Sequence, residues 1–398
     1  MIVRYEVLIL NILFNSKSSA YVERFGGAEI SMKLMAEALV QRGHQVYYIS
    51  KNKNRGLLPK LVRKRVGGVD VTIYSGLRRG SRFKFIRAFD QLLYEYLVRR
   101  VVNVGNIDLA YCTYELPILT VLLKVQATSP DLKIVMRMAG MYWYEKSLKD
   151  PVSKKEFERV FNSIDSINYV HRDQEQMVME KIEDLDMDVA FKNSFIADIG
   201  FSVGLNRPQP YGSLTNEDFL IINVARFTDY QKRQDILVKA AALISQDVRV
   251  KFTLIGEGKE KEKIIALISK LGLEDKFTLM PFLSREELWR EMIKADLMCH
   301  ACEYEGLAKI ILESMALGLP VLVSNVKPVN GYIEDSVNGF LVDNEPELWA
   351  KKIEALIQDH ASRVKVSRRA KEHVENNYNP QNNIVQYECH FEKILEYN

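Results

Sequence analysis

Two glutamates, Glu305 and Glu313, stand within the run Tyr304-Glu305-Gly306-Leu307-Ala308-Lys309-Ile310-Ile311-Leu312-Glu313-Ser314-Met315-Ala316-Leu317-Gly318-Leu319-Pro320. Leu307, Ile310, Ile311, Leu312, Met315 and Leu317 recur at helical spacing, and Gly318 with Pro320 marks a helix end. If every intervening residue were helical, the two carboxylates would lie about 12 Å apart along the axis, too far to act as acid and base on one atom. They read as two separate anchors. Between them the spacing predicts a helix N-terminus near Gly306, whose free N–H groups favour an anion. Carboxylate, anion seat and carboxylate together suit two polyhydroxylated rings joined by a diphosphate, which is a nucleotide sugar. The plain alternative is a solvated helix face. A cationic pair could serve the same ligand: Arg226 ends the strand-like run that begins at Phe219, and Lys232 precedes a helical pattern through Ile236, Leu237 and Ala240. Arginine offers a fork and lysine a point charge to a diphosphate, although such residues at turns are often merely solvated.

Three further motifs carry weaker signals. Phe25-Gly26-Gly27-Ala28-Glu29 follows an apolar run and opens a helical pattern, so two glycines would let the backbone approach a ligand. Gly256-Glu257-Gly258 lacks the third glycine of a dinucleotide fingerprint. Asp184-Leu185-Asp186-Met187-Asp188 has the D-x-D pattern that holds a divalent cation and diphosphate in some transferases, but it follows no apolar strand and reads as a solvated loop. Cys299-His300-Ala301-Cys302 has C-x-x-C spacing without a partner pair, and reads as two cysteines that happen to fall near a strand end.

The elements that must position these groups alternate. Apolar runs at Val7–Phe14, His44–Ser50, Val69–Tyr74, 107–114, 132–138 and 164–170 read as strands separated by helical segments, which predicts a doubly wound parallel sheet. The cluster Gly204–Ser213 is dense in turn residues and predicts an interdomain linker. Beyond it the alternation restarts at Phe219, with strands at 252–255, 276–282, 296–300 and 319–324 and a last helical stretch at 384–395. The length of 398 residues fits two domains. Val7–Phe14 is too short to span a membrane and has no cleavage-site pattern. Four cysteines make no disulfide framework, which favours a reducing cytosol.

The net charge of +3 is unevenly spread. From Lys51 to Arg100, fourteen Lys or Arg face only Asp70, Asp90 and Glu95. Leu57, Leu58, Leu61, Phe83, Phe85, Phe89, Leu92 and Leu93 are interleaved with them. Two readings stay open: an amphipathic surface for an anionic lipid membrane, with Arg78, Arg79 and Arg82 at its centre, or a solvated basic face over a core.

The run from Glu303 to Gly318 resembles the E-x7-E segment of glycosyltransferase family 4. The resemblance extends over nearly the whole chain, strongest from Phe219 to Asp343 and thin from Lys51 to Asn106. It implies an α/β GT-B fold, with two Rossmann-like doubly wound domains facing across a cleft and a C-terminal helix crossing back to the N-terminal domain. The implied domains are residues 1–205, joined by 380–398, on the acceptor side, and residues 206–379 on the nucleotide-sugar side. Glu305 would then hold the transferred sugar, with Arg226 and Lys232 on the diphosphate as the catalytic set. Gly26, Gly27, Gly306, Leu307 and Ala308 would lie at the donor, Met280 and Phe282 would flank the base, and Glu313 would hold the ribose. Many members carry His-Gly after the strand at 132–138; this chain has Met138-Ala139-Gly140, so a histidine mechanism is not implied.

The function so implied is retaining transfer from a UDP-, GDP- or ADP-sugar to a glycan or lipid-linked acceptor in cell-surface polysaccharide or glycoconjugate synthesis. No metal or other cofactor and no nucleic acid partner would be needed. The protein would be cytoplasmic, with a possible peripheral place on the inner face of the membrane. The alternatives are a nucleotide-sugar epimerase or phosphorylase of the same fold, or a non-catalytic nucleotide-sugar-binding subunit.

Overall fold

A computed structural model describes residues 8–16, 21, 27–52, 58–77, 84–138, 151–190, 193–201, 218–228, 231–327 and 329–396. The chain forms two compact units, residues 1–200 with 380–398, and residues 201–379. The expected linker, Gly204–Ser213, lies outside the described residues.

Unit 1 is built on an eight-stranded sheet of order β3-β4-β2-β1-β5-β6-β7-β8. Its strands are β1 (Asn11–Ser16), β2 (Gln45–Lys51), β3 (Lys60–Val66), β4 (Val69–Ser75), β5 (Leu109–Thr113), β6 (Lys133–Met138), β7 (Ser166–Tyr169) and β8 (Ser194–Ile196). Seven pair in parallel, and all of these but the edge strand β8 are largely buried on both faces, which is why they read in sequence as continuous apolar runs rather than alternating ones. On one face Phe14, Tyr48, Val71 and Tyr111 pack with Met32, Met35 and Leu39 of α1 (Gly27–Gln41). On the other, Tyr94 of α2 (Lys84–Val104) donates a hydrogen bond of 2.6 Å to Asn15 Oδ1.

β3 departs from the sequence reading. The stretch from Lys51 to Arg100 is not one amphipathic element: it divides into an edge strand, its antiparallel partner β4 and helix α2. Gly67 and Gly68, both at positive φ (57° and 80°), make a two-residue hairpin turn between them. A Cβ on Gly68 would meet Val40 Cγ1 at 2.4 Å, so this turn requires glycine for space as well as for φ. The Lys and Arg side chains of β3 are exposed, and charge on an edge strand discourages pairing with another chain. Arg78, Arg79 and Arg82 lie outside the described residues.

The C-terminal helix, α13 (Pro380–Glu396), belongs to unit 1. Ile384, Tyr387, Phe391 and Ile394 fill the same core as α1. Its buried Glu388 receives Arg42 Nε at 2.5 Å on both oxygens and lies 2.8 Å from His44 Nε2. His44 Nδ1 accepts from the Leu10 amide at 3.1 Å, so the ring proton sits on Nε2 and is donated to Glu388.

Unit 2 carries a six-stranded parallel sheet of order β11-β10-β9-β12-β13-β14. Its strands are β9 (Phe219–Val224), β10 (Val250–Ile255), β11 (Phe277–Met280), β12 (Leu297–His300), β13 (Val321–Ser324) and β14 (Phe340–Val342). Counted within the unit the order is 3-2-1-4-5-6, and it reverses between β9 and β12. Ligands of open α/β sheets bind beyond the carboxyl ends of the strands at this switch point.

Because Glu388 ties α13 to the first helical layer, Glu388→Ala is expected to destabilise unit 1 by about 3 kcal/mol, as loss of one partner of a buried pair does. Glu388→Gln, which still accepts from His44, should cost less. Denaturant titration measures both, and an unchanged midpoint for the alanine variant would refute the assignment.

Candidate functional site

Arg226 and Lys232 follow β9, and Glu305 follows β12, so all three stand at the switch point of unit 2. The two loops are joined by backbone bonds. Arg233 N donates to Ala301 O at 3.1 Å, Glu303 N donates to Gln231 O at 3.0 Å, and Lys232 forms an antiparallel bridge with Cys302. A ring of side chains secures the second loop: Cys302 N donates to Ser324 Oγ at 2.9 Å, Ser324 Oγ donates to Asn344 Oδ1 at 2.6 Å, and Asn344 Nδ2 returns to Cys302 O at 2.8 Å.

Within this frame Lys232 Nζ is in direct contact with Glu305 Oε1, both side chains being about nine-tenths buried. His300 Nε2 lies 2.8 Å from the same oxygen and 3.4 Å from Lys232 Nζ. Burial, with Lys232 adding to it, holds the imidazole well below its usual pKa. It is therefore neutral and donates Nε2–H to Glu305, while buried Nδ1 has no hydrogen-bond partner among the described residues. Burial pushes the Lys232 ammonium down to about 8; the neighbouring Cys302 works against that push and the Arg226 guanidinium adds to it. Arg226 is exposed and makes no ion pair with described residues, so its fork is available.

The Gly256-Glu257-Gly258 turn serves this site sterically. A Cβ on Gly256 would stand 2.0 Å from Ala225 O, and one on Gly258 would stand 2.0 Å from Phe227 O. The turn after β10 thus packs flat against the backbone on either side of Arg226, fixed by Phe227 N to Glu257 O at 3.1 Å.

Glu313 occupies a second environment. It lies in α9 (Lys309–Ala316), receiving Arg285 Nη2 on Oε1 at 2.9 Å and Trp289 Nε1 on Oε2 at 2.9 Å. The Arg285 guanidinium also stacks 5.1 Å from the Trp289 ring. Each Glu313 oxygen keeps one lone pair for a further donor. The helix begins at Lys309, later than the expected start near Gly306. Gly306 and Leu307 are half-buried loop residues, and Ala308 is the N-cap, its amide donating to Tyr332 Oη at 3.4 Å. Met280 ends β11 with its carbonyl taken by Gly256 N at 3.1 Å, and Phe282 is exposed just beyond.

Of the remaining candidates, Gly27 is the first residue of α1 in unit 1, whereas Gly26, Ala139 and Gly140 lie outside the described residues. Asp184, Asp186 and Asp188 are exposed at and after a helix end, as the solvated-loop reading expects. His300, Cys302 and Glu305 bring three possible metal-ligand atoms within 4.8 Å of one another. The Lys232 ammonium, however, already sits against the carboxylate of that group, and its charge opposes a cation there. Sequence reading missed His300, Ser324, Asn344, Arg285 and Trp289. A histidine within an otherwise apolar strand was the one available signal, and it was set aside with the C-x-x-C pair.

Residues 211–373 match the family model described as glycosyl transferases group 1. The chain is 27% identical over 187 residues to N-acetyl-alpha-D-glucosaminyl L-malate synthase of Bacillus anthracis, a match covering 46% of this chain and 48% of that protein. The aligned segment therefore spans about half the length of that relative. Among solved structures, sucrose-phosphate synthase of Thermosynechococcus elongatus superposes with a TM-score of 0.80 at 16% identity, over 97% of this chain and 99% of the other. HepE of Anabaena, solved with UDP and glucose, gives 0.71 at 17% identity over 97% and 99%. The fold is GT-B, and the family match together with the named relative supports a glycosyltransferase of that fold.

If Lys232 neutralises an incoming diphosphate, affinity for UDP is expected to fall roughly tenfold as pH rises from 7 to 9.5, because the ammonium loses its proton near 8. Lys232→Arg, which keeps its charge, should flatten that profile. Calorimetric titration across the range checks it, and a wild-type affinity independent of pH would refute the role.

Proposed function

We propose that this chain transfers a sugar, with retention of anomeric configuration, from a nucleotide-sugar donor to a hydroxyl of a glycan or lipid-linked acceptor at the cytoplasmic face of a membrane. The observation that carries the proposal is the grouping of Arg226, Lys232 and Glu305 beyond the carboxyl ends of β9 and β12, where the strand order reverses. UDP is the first donor nucleotide to test, because a protein of the same fold was solved with UDP.

In this reading the donor diphosphate draws the Lys232 ammonium away from Glu305 and takes the Arg226 fork at its exposed side. Glu305, still oriented by His300, then accepts from hydroxyls of the transferred sugar. The bond from the anomeric carbon to the diphosphate oxygen breaks, the acceptor oxygen bonds to that carbon on the same face, and the hydroxyl proton passes to the departing phosphate. Fixed cations lower the energy of the developing negative charge, so no metal is required. Glu313, anchored by Arg285 and Trp289, directs its remaining lone pairs to the ribose hydroxyls.

Two outcomes test this. Glu313→Gln is expected to weaken donor binding about tenfold or more, the worth of a charge-assisted hydrogen bond, while affinity for a bare sugar phosphate changes less. Equal losses for both ligands would remove the ribose assignment. Turnover of a UDP-, GDP- or ADP-sugar should survive EDTA; abolition by chelation with recovery on manganese would return attention to Asp184–Asp188.

A further inference from the structure

Unit 1 contains a cavity of about 420 Å³ that the proposed reaction does not use. It lies where β2 and β4 begin and α2 ends, and is lined by Tyr47, Arg63, Asp70, Thr72 and Arg100 among others. That is the opposite sheet edge from the one where β1 ends and α1 begins. Its volume is in the range of small-molecule pockets. Arg63 and Arg100 make no ion pair or hydrogen bond with described residues, and neither does the Asp70 carboxylate.

A second observation concerns the outer surface of α2. Phe89, Leu92 and Tyr96 follow one another at i, i+3 and i+7 and are 54%, 60% and 63% exposed, and Val104, which also lines the cavity, is 78% exposed. Phe89, Leu92 and Tyr96 span about 10 Å of the helix, and Arg100 and Val104 continue the same face to the cavity at its C-terminal end. Arg99 flanks this face, and Leu61, on the same side of β3 as the cavity-lining Arg63, adds exposed apolar area. A stripe of apolar side chains beside arginines complements the interface of an anionic bilayer. No described helix is long and apolar enough to cross a membrane, so such contact would be peripheral.

We propose that the cavity holds the headgroup of a phospholipid whose phosphodiester carries a polyol. Two unpaired guanidinium groups suit one phosphate, and the unpaired Asp70 carboxylate with Thr72 Oγ1 suits hydroxyl donors on the headgroup. The acyl region of the surrounding bilayer lies against Val104, Tyr96, Leu92 and Phe89. The inference rests on the lipid-linked acceptor reading, because a membrane laid along α2 would bring a membrane-borne acceptor to the sheet edge where that helix starts.

The test uses the full chain and phosphatidylcholine vesicles holding either phosphatidylglycerol or phosphatidylserine at the same mole fraction, so that surface charge is equal. Binding is expected to be severalfold tighter to the phosphatidylglycerol vesicles. Arg63→Lys with Arg100→Lys retains the charge and removes the forks, and should abolish that preference while leaving phosphatidylserine binding in place. Leu92→Ser with Tyr96→Ser should reduce binding to both vesicles at least tenfold. Equal wild-type binding to the two vesicles, or a preference that survives the lysine replacements, would overturn the pocket in favour of surface charge alone. UDP titration of the same variants tests the transferase reading separately, since none of these residues belongs to the donor site.

Discussion

The contact between Lys232 and Glu305 is the interaction around which unit 2 is arranged. Two opposite charges removed from water are costly unless each satisfies the other, and removing either partner would leave an uncompensated charge in a dry site. The pair survives because the backbones that carry it are fixed independently. The loops after β9 and β12 are hydrogen-bonded to each other, the second loop is closed by Ser324 and Asn344, and Gly256 and Gly258 let the neighbouring turn press against the first. A neutral His300 gives Glu305 a further donor without adding a charge.

The two glutamates of the E-x7-E run hold different places in this network. Glu305 faces a lysine that an arriving anion could attract, so its partner is exchangeable in the proposed reading. Glu313 is held by a guanidinium that stacks on Trp289 and by the indole N–H of that residue. One carboxylate is thus suited to a changing set of partners and the other to a fixed orientation. The three non-helical residues between Glu305 and α9 permit the difference, because they free Glu305 from the helix that sets Glu313.

Unit 1 depends on a comparable device at its opposite end in sequence. Glu388 of the last helix meets Arg42 and His44, which come from the end of the first helix and the approach to β2. The terminal segment therefore completes the core of the unit in which the chain began. The basic stretch that follows β2 divides its charges between an edge strand and a helix, and the apolar residues interleaved with them divide as well: Tyr94 and Leu97 go to the core, while Phe89, Leu92 and Tyr96 face outward.

The sequence by itself determined the alternation of strands and helices, the restart after the turn-rich segment, and the identity of the residues at the switch point of unit 2. These are legible because a strand buried on both faces must be apolar throughout, and a βα turn that binds an anion needs glycine or cations within a few residues. It also held an unread signal, Gly67-Gly68 between two β-rich runs, for the hairpin that the charge pattern concealed. Only the tertiary structure decided what pairs with what. Lys232 lies 73 positions before Glu305, and Arg285 and Trp289 precede Glu313 by 28 and 24. Local pattern carries no information about such contacts, because strand order brings β9 beside β12 while three helices and two strands intervene in the chain. The roles of His300 and Glu388 were decided in the same way: a buried polar group takes its meaning from the partner that satisfies it, and that partner is supplied by the fold.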